Sequence, residues 1–209
     1  AQDQLSAGPV QLIADPALSA NNPDNATHTA GTTFMGQFLD HDMTFDTTSP
    51  LGIPTTPESS PNSRTPSFDL DTVYGGGPVA SPAFYEPDRV KLRIENGGLF
   101  EDVPRQSNGT AIIGDPRNDE NTMISGFQSA FILAHNRIVD QLRSQGVPAA
   151  QQFAQARQIL TWHYHWIILK EFLPTIVGQP MVNTVLSGGR RWFRPDPSPA
   201  FIPVEFQIA

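Results

Sequence analysis

The chain has 209 residues, 38% of them hydrophobic, which is enough for one domain of ordinary size with a buried core. A formal charge of −8 disfavours nucleic acid and anionic membrane surfaces as partners, and no apolar run is long enough to span a bilayer as a helix. With no cysteine there is neither a disulfide framework nor a thiolate site, so any metal or cofactor must be held by oxygen and nitrogen ligands.

The first thirty residues are rich in Ala, Pro, Asn and Asp without periodicity and read as an arm or loop, in which His28 is taken as a solvated side chain. The start at Ala1, without Met, reads as that of a processed or trimmed product. Two sequons, Asn25-Ala26-Thr27 and Asn108-Gly109-Thr110, matter only where secretion passes through a glycosylating compartment. Thr33 to Thr47 then reads as a helix with an apolar face of Phe34, Met35, Phe38, Leu39 and Met43. Gln37, Asp40 and His41 stand at i, i+3 and i+4, so an amide, a carboxylate and an imidazole share one direction while Asp42 points elsewhere. That set suits proton chemistry on a small substrate, with Asp42 left for a cation. It equally suits solvated Asp residues around a hydrogen-bonded core His.

The Pro- and Ser-rich stretch from Ser49 to Ser67 cannot form a regular element and reads as a long surface excursion. At its end Thr65, Ser67, Asp69 and Asp71 alternate, placing oxygens along one side of an extended loop in the manner of a hard-cation site. The Gly and closing Glu of an EF-hand are missing. An ordinary Asx-turn is the competing reading. Gly75 to Pro78 reads as a turn without the spacing of a phosphate loop, Val90 to Ile94 as a short strand, and Glu95 to Asn108 as a polar loop.

Asp115-Pro116 reads as a helix start, with Arg117 and Glu120 as an i, i+3 pair at its mouth. Met123 to Leu142 reads as a long amphipathic helix whose His135, Asn136 and Arg137 satisfy neighbouring backbone. Ala149 to Leu173 reads as a further helix closed by Pro174, on which His163 and His165 point to different sides and make no paired metal site. Gly178 to Ala209 reads as loop, with an Arg and Trp cluster and an apolar tail from Phe201 to Ile208.

Taken together and in order, GQFLDHDMTFD (Gly36 to Asp46), TPSFDLDTVYG (Thr65 to Gly75), GDPRNDE (Gly114 to Glu120), AHNRIVDQL (Ala134 to Leu142) and EFLPTIVG (Glu171 to Gly178) resemble the animal-type haem peroxidase superfamily, the myeloperoxidase and cyclooxygenase group with its bacterial members. The resemblance implies a mainly α fold, a haem-peroxidase helical bundle with long loops and little β structure. It implies that His41 is the distal histidine, Gln37 its pocket neighbour and Arg117 the catalytic arginine. Asp40 and Glu120 match the carboxylates ester-linked to haem b in many members, and Asp42, Thr65, Ser67, Asp69 and Asp71 match ligands of Ca2+. Asn121 stands where myeloperoxidase carries the methionine of its sulfonium link, so that link is expected to be absent.

In the family a proximal histidine follows a segment like Pro203 to Ala209, so residues 1–209 are expected to be the distal, N-terminal part of one catalytic domain, completed by a second polypeptide carrying that histidine. The implied partners are hydrogen peroxide and a small reducing substrate, a halide, thiocyanate or organic donor, in a secreted or periplasmic protein. The rival readings are a fatty-acid dioxygenase of the same superfamily and a non-catalytic, calcium-stabilised fragment or subunit.

Overall fold

The computed structural model describes residues 28–50, 52–56, 61–189 and 191. The chain divides into two compact units, Ala1–Gly31 and Thr32–Ala209. The core and all the site residues described lie in the second. Most of the N-terminal arm, most of the Arg and Trp cluster and the apolar tail fall outside the described residues.

The architecture is mainly α, as expected. In chain order come α1 (Ala30–Met43), the single turns α2 (Asp71–Tyr74) and α3 (Gly77–Ala80), and a 3-10 turn at Pro82–Phe84. A two-residue hairpin, β1 (Glu95–Asn96) with β2 (Glu101–Asp102), leads to a second 3-10 turn at Pro116–Asp119. The long helices α4 (Thr122–Ser144) and α5 (Ala149–Ile167) follow, then α6 (Leu173–Val177) and α7 (Gln179–Gly188). No described helix is long and apolar enough to cross a membrane.

α4 and α5 form a helical hairpin. Its turn is possible because Gly146 takes a positive φ of 76°, which lets the N–H of Val147 close on the carbonyl of Leu142 at 3.0 Å. α1 joins them through an aromatic core. Phe38, fully buried, stacks on Phe131 of α4 with centroids 4.8 Å apart, and the Tyr164 ring of α5 meets Phe38, Phe131 and Phe68 edge-on. Leu39, Ile124, Ile132, Leu160 and Ile168 fill the space around them. α1 is thus fixed by its apolar face, and its polar face is left to carry the site.

Besides the short hairpin within Glu95 to Asn108, which the sequence reads as a polar loop, three sequence expectations change. Val90 to Ile94 is not a strand, because the side-chain amide of Asn136 takes both main-chain groups of Leu92 at 2.8 Å, leaving only the bridge Tyr85 to Leu92. Pro174 does not close α5. Ile168–Phe172 widens into a π turn in which the N–H of Leu173 reaches Ile168 O, five residues back, and helical winding resumes through a proline that has no N–H to place. Gln179–Gly188 is helix rather than loop, since Gly178 at φ 80° and Pro180 in the first turn form a start signal and Val182 is buried.

His135 shows how α4 holds the loops around it. Its Nε2 faces Val90 O at 2.8 Å, and a carbonyl only accepts, so Nε2 carries the proton and Nδ1 accepts from the Tyr74 hydroxyl at 2.9 Å. Burial pushes this ring down to about 4, with the Val90 bond and the Asp88 charge opposing. Between pH 6.5 and about 4 the unfolded chain therefore binds a proton that the folded chain refuses, so stability falls as pH drops through that window, by about 3 kcal/mol in total from this group. Denaturant unfolding across that range is expected to show a slope in His135→Gln that is shallower by up to one proton, and an unchanged slope would contradict it.

Candidate active site and metal centre

The segment Gly114 to Asn121 spends nearly every residue on the site. Gly114 lies against the 65–72 loop so closely that a Cβ there would overlap the carbonyls of Thr72 and Asp71, and its N–H bonds Thr72 O at 3.1 Å. Asp115, fully buried, caps the 3-10 turn by accepting the Arg117 N–H at 2.9 Å. The same carboxylate accepts from Arg117 Nε and Nη2, at 3.0 and 2.8 Å, and from Arg64 Nη2. Burial opposes its charge, but the Arg117 bonds and the two guanidinium charges outweigh that and hold the carboxyl below its ordinary value. Asn121 caps α4, receiving the N–H groups of Met123 and Ile124 at 3.1 and 3.0 Å.

Arg117 makes no ion pair with Glu120, contrary to the i, i+3 expectation. Its fork is taken by Asp115, and Nη2 also donates to the main-chain carbonyls of His41 and Thr44 at 3.1 and 2.5 Å, with the guanidinium 4.3 Å from the centre of the Phe45 ring. Arg117 therefore grips the C-terminal turn of α1 by its backbone. Glu120 instead receives Gln37 Nε2 at 3.3 Å, which brings α1 and the 3-10 segment together at the surface. Asp40, half-buried on the same stretch of α1, accepts the Thr44 hydroxyl at 3.0 Å.

His41 is 4% exposed and sits between these groups. Its Nδ1 lies 2.7 Å from Asn118 Oδ1, and Nε2 makes no hydrogen bond among the described residues. Burial lowers its pKa, the Asn118 bond opposes, and the nearby Arg117 charge lowers it further, so the neutral ring is favoured. The structure thus brings Gln37, Asp40, His41, Arg117 and Glu120 to one region, though Arg117 reaches His41 through the backbone rather than the ring. Asn118, Asp115 and Arg64 were not recognised from the sequence. An Asn next to the Arg, and an Asp-Pro that could be counter-ion as well as cap, were the only signals.

Behind His41 lies the second cluster. Carboxylate oxygens of Asp42, Asp69 and Asp71 all lie within 4.8 Å of one another. The backbone is strained to achieve this: Leu70, between the two loop acids, sits at φ 60°, a region costly for a branched residue, and its N–H donates to Asp42 Oδ2 at 3.1 Å. Tyr164 OH donates to the same oxygen at 3.2 Å. Burial, opposed by the Leu70 bond and reinforced by the charges of Asp71 and Asp69, pushes the Asp42 carboxyl up to about 7, and burial raises Asp71 against the pull of Arg64. Asp69 Oδ1 and Asp71 Oδ1 are buried without a hydrogen bond; Arg64 Nη1 lies 3.4 Å from the latter. Thr65 and Ser67 lie earlier on the loop, joined to each other by Ser67 N–H on Thr65 O at 2.7 Å, and no described hydrogen bond ties them to the three carboxylates.

Residues 48–200 match the family model for animal haem peroxidase. The chain belongs to the animal haem peroxidase family. No curated protein matches it. The matched span takes in the loop from Thr65 to Asp71 and the segment from Arg117 to Glu120, and begins after α1. Membership supports a peroxidase-superfamily oxidoreductase activity and implies haem.

The charge balance at Asp115 gives a direct test of how this peroxidase chain holds its site. Asp115→Asn removes the shared partner of two half-buried arginines and is expected to cost about 3–5 kcal/mol. Urea unfolding measures it, and a loss below about 1 kcal/mol would show the pairs to be dispensable.

Proposed function

We propose that the chain forms the peroxide-cleaving face of a haem peroxidase, with His41 as acid and base, Arg117 as the charge beside it, and Gln37 lining the same face. The observation that carries this is the placement of His41: buried, held through Nδ1, with Nε2 engaged by nothing described, next to a fixed guanidinium. Bound there, haem would supply the iron at which peroxide is reduced and a halide, thiocyanate or organic donor is oxidised. Asp40 and Glu120 are the residues that would hold it, as ester partners or as polar contacts, since Asp40 precedes His41 on α1, Glu120 accepts from Gln37, and both carboxylates are less buried than the His41 ring.

His41 has the chemistry the reaction needs. A neutral imidazole takes the proton from one peroxide oxygen at Nε2 and returns it to the other, and the lowered pKa keeps it neutral at ordinary pH. Arg117 favours that neutral state and stabilises negative charge developing as the oxygen–oxygen bond breaks. The dioxygenase reading turns on a redox-active tyrosine that in that group lies beyond the position of Ala209, so Tyr74, Tyr85 and Tyr164, each buried and hydrogen-bonded, to His135, the Tyr74 carbonyl and Asp42, do not decide it. The complete set of distal residues, Gln37, His41 and Arg117 with Asp40 and Glu120, favours the peroxidase.

The carboxylate cluster is proposed to hold Ca2+ through Asp42, Asp69 and Asp71, with Thr65 and Ser67 closing on the ion through hydroxyl or carbonyl oxygens. Orphaned buried oxygens on two mutually repelling acids are what a hard cation satisfies. Residence in a secreted or periplasmic compartment, where calcium is plentiful, fits that site.

Two measurements test the proposal. In haem-loaded protein completed by the polypeptide that carries the proximal histidine, His41→Ala is expected to slow peroxide consumption roughly a hundredfold or more; an unchanged rate would remove His41 from the chemistry. Calcium at about a hundred times its dissociation constant is expected to stabilise the chain by about 2.7 kcal/mol, and Asp69→Ala to abolish the shift. Equal shifts in both proteins would place the ion elsewhere.

A further inference from the structure

We propose that Asn118 is a positioning residue that fixes His41 in its Nδ1–H tautomer, so that the Nε2 lone pair is the base; this rests on the peroxidase reading of His41. The assignment follows from a chain of amides anchored at one end on a group that cannot switch roles. Thr72 O is a backbone carbonyl and can only accept, and the Gln128 side chain approaches it at 3.4 Å, so Gln128 presents Nε2 there. Its other end, Oε1, then faces Asn118 and must accept from Nδ2, at 2.9 Å. That turns Asn118 Oδ1 toward His41, 2.7 Å from Nδ1. An amide oxygen has no proton to give, so the proton between them belongs to His41 Nδ1. The opposite nitrogen is left with its lone pair.

The environment makes the assignment firm. Asn118 and Gln128 are both fully buried, so neither amide can flip without stranding a donor against a donor and an acceptor against an acceptor away from bulk solvent. Each comes from a rigid element, Asn118 from the 3-10 turn capped by Asp115 and Gln128 from α4. The 3-10 turn is also fixed from outside, where Arg105 grips Asp119 with two bonds of 2.7 and 2.8 Å and Asp102 of β2 with two more. An unconstrained histidine side chain in water favours the other tautomer, with the proton on Nε2, which would offer the peroxide a donor where the first step needs an acceptor. The amide chain reverses that preference without placing a charge beside the ring. Its anchor, Thr72, also directs its hydroxyl to Asp42 Oδ1 at 3.4 Å, so the proton position on His41 and the carboxylate cluster share one residue.

Nitrogen NMR of the chain labelled with 15N-histidine, at a pH where the ring is neutral, reads the tautomer directly, with His41 assigned by its loss in His41→Gln. The wild type is expected to show a protonated Nδ1 and an unprotonated Nε2. Asn118→Asp keeps an acceptor at the same place and is expected to retain that state, whereas Asn118→Leu is expected to lose it to a mixture dominated by Nε2–H. Gln128→Leu, which does not touch His41, is expected to give a mixture as well. In haem-loaded protein completed by the proximal-histidine segment, Asn118→Leu should slow peroxide consumption roughly tenfold to a hundredfold, with Asn118→Asp recovering most of it. A wild-type His41 protonated on Nε2, or a folded Asn118→Leu that keeps a pure Nδ1–H ring, would overturn the proposal. An Nδ1–H ring in a haem-loaded protein that is completed by the proximal-histidine segment and consumes no peroxide would instead defeat the peroxidase reading and leave the tautomer assignment standing.

Discussion

The arrangement turns on one buried carboxylate, that of Asp42. It is the penultimate residue of α1, at the negative end of the helix dipole and fully shielded from water, a position where an acid is doubly disfavoured. What holds it there is a convergence of donors from three parts of the chain: Leu70 N–H and the Thr72 hydroxyl from the loop and α2, and the Tyr164 hydroxyl from α5. Because Asp42 and His41 are adjacent, whatever fixes one sets the other. A helix whose apolar face is locked by Phe38 against Phe131 is thereby locked at its polar end too, and its rotation about its own axis is determined.

The same logic explains Asp115. Two arginines meet one acid, and each then reaches further, Arg64 to Asp71 and the Gly114 carbonyl, Arg117 to the carbonyls of His41 and Thr44. The positive charge of Arg64 is the main described counterweight to the loop acids, and a single guanidinium against three carboxylates leaves a negative excess that a divalent ion would neutralise. The carboxylate cluster and the histidine face are therefore two ends of one polar network, joined through Asp115, Thr72 and the amide chain from Gln128 to Asn118.

Much of this was legible in the sequence, because the motifs are short and local. The i, i+3, i+4 spacing of Gln37, Asp40 and His41 placed them on one face, and the divergence of Asp42 from that face is what lets it meet Asp69 and Asp71. The existence of helices α4 and α5 followed from periodicity. What could not be read was which polar group would take which partner. Arg117 is close in sequence to Glu120, yet the buried Asp115 outcompetes it, because a desolvated acid gains far more from a guanidinium than an exposed one does. Asn118 was given no role within the helix start read at Asp115-Pro116, since nothing local reveals that its side chain meets His41 of α1 and Gln128 of α4. Pro174 was read as a breaker, when a π turn accommodates it, and Gly178 to Ala209 as loop, when Pro180 sits in the first turn of a helix.

The proposed cation at Asp42, Asp69 and Asp71 would fix the end of α1 and with it the histidine face. Amide hydrogen exchange, followed in chelator and then with calcium restored, tests this most directly. The account predicts that protection rises together in two segments distant in sequence, Phe38 to Thr44 and Leu70 to Tyr74, while the α4–α5 turn around Gly146 is unaffected. Calcium binding that leaves both segments unchanged, or protects only the loop, would contradict it.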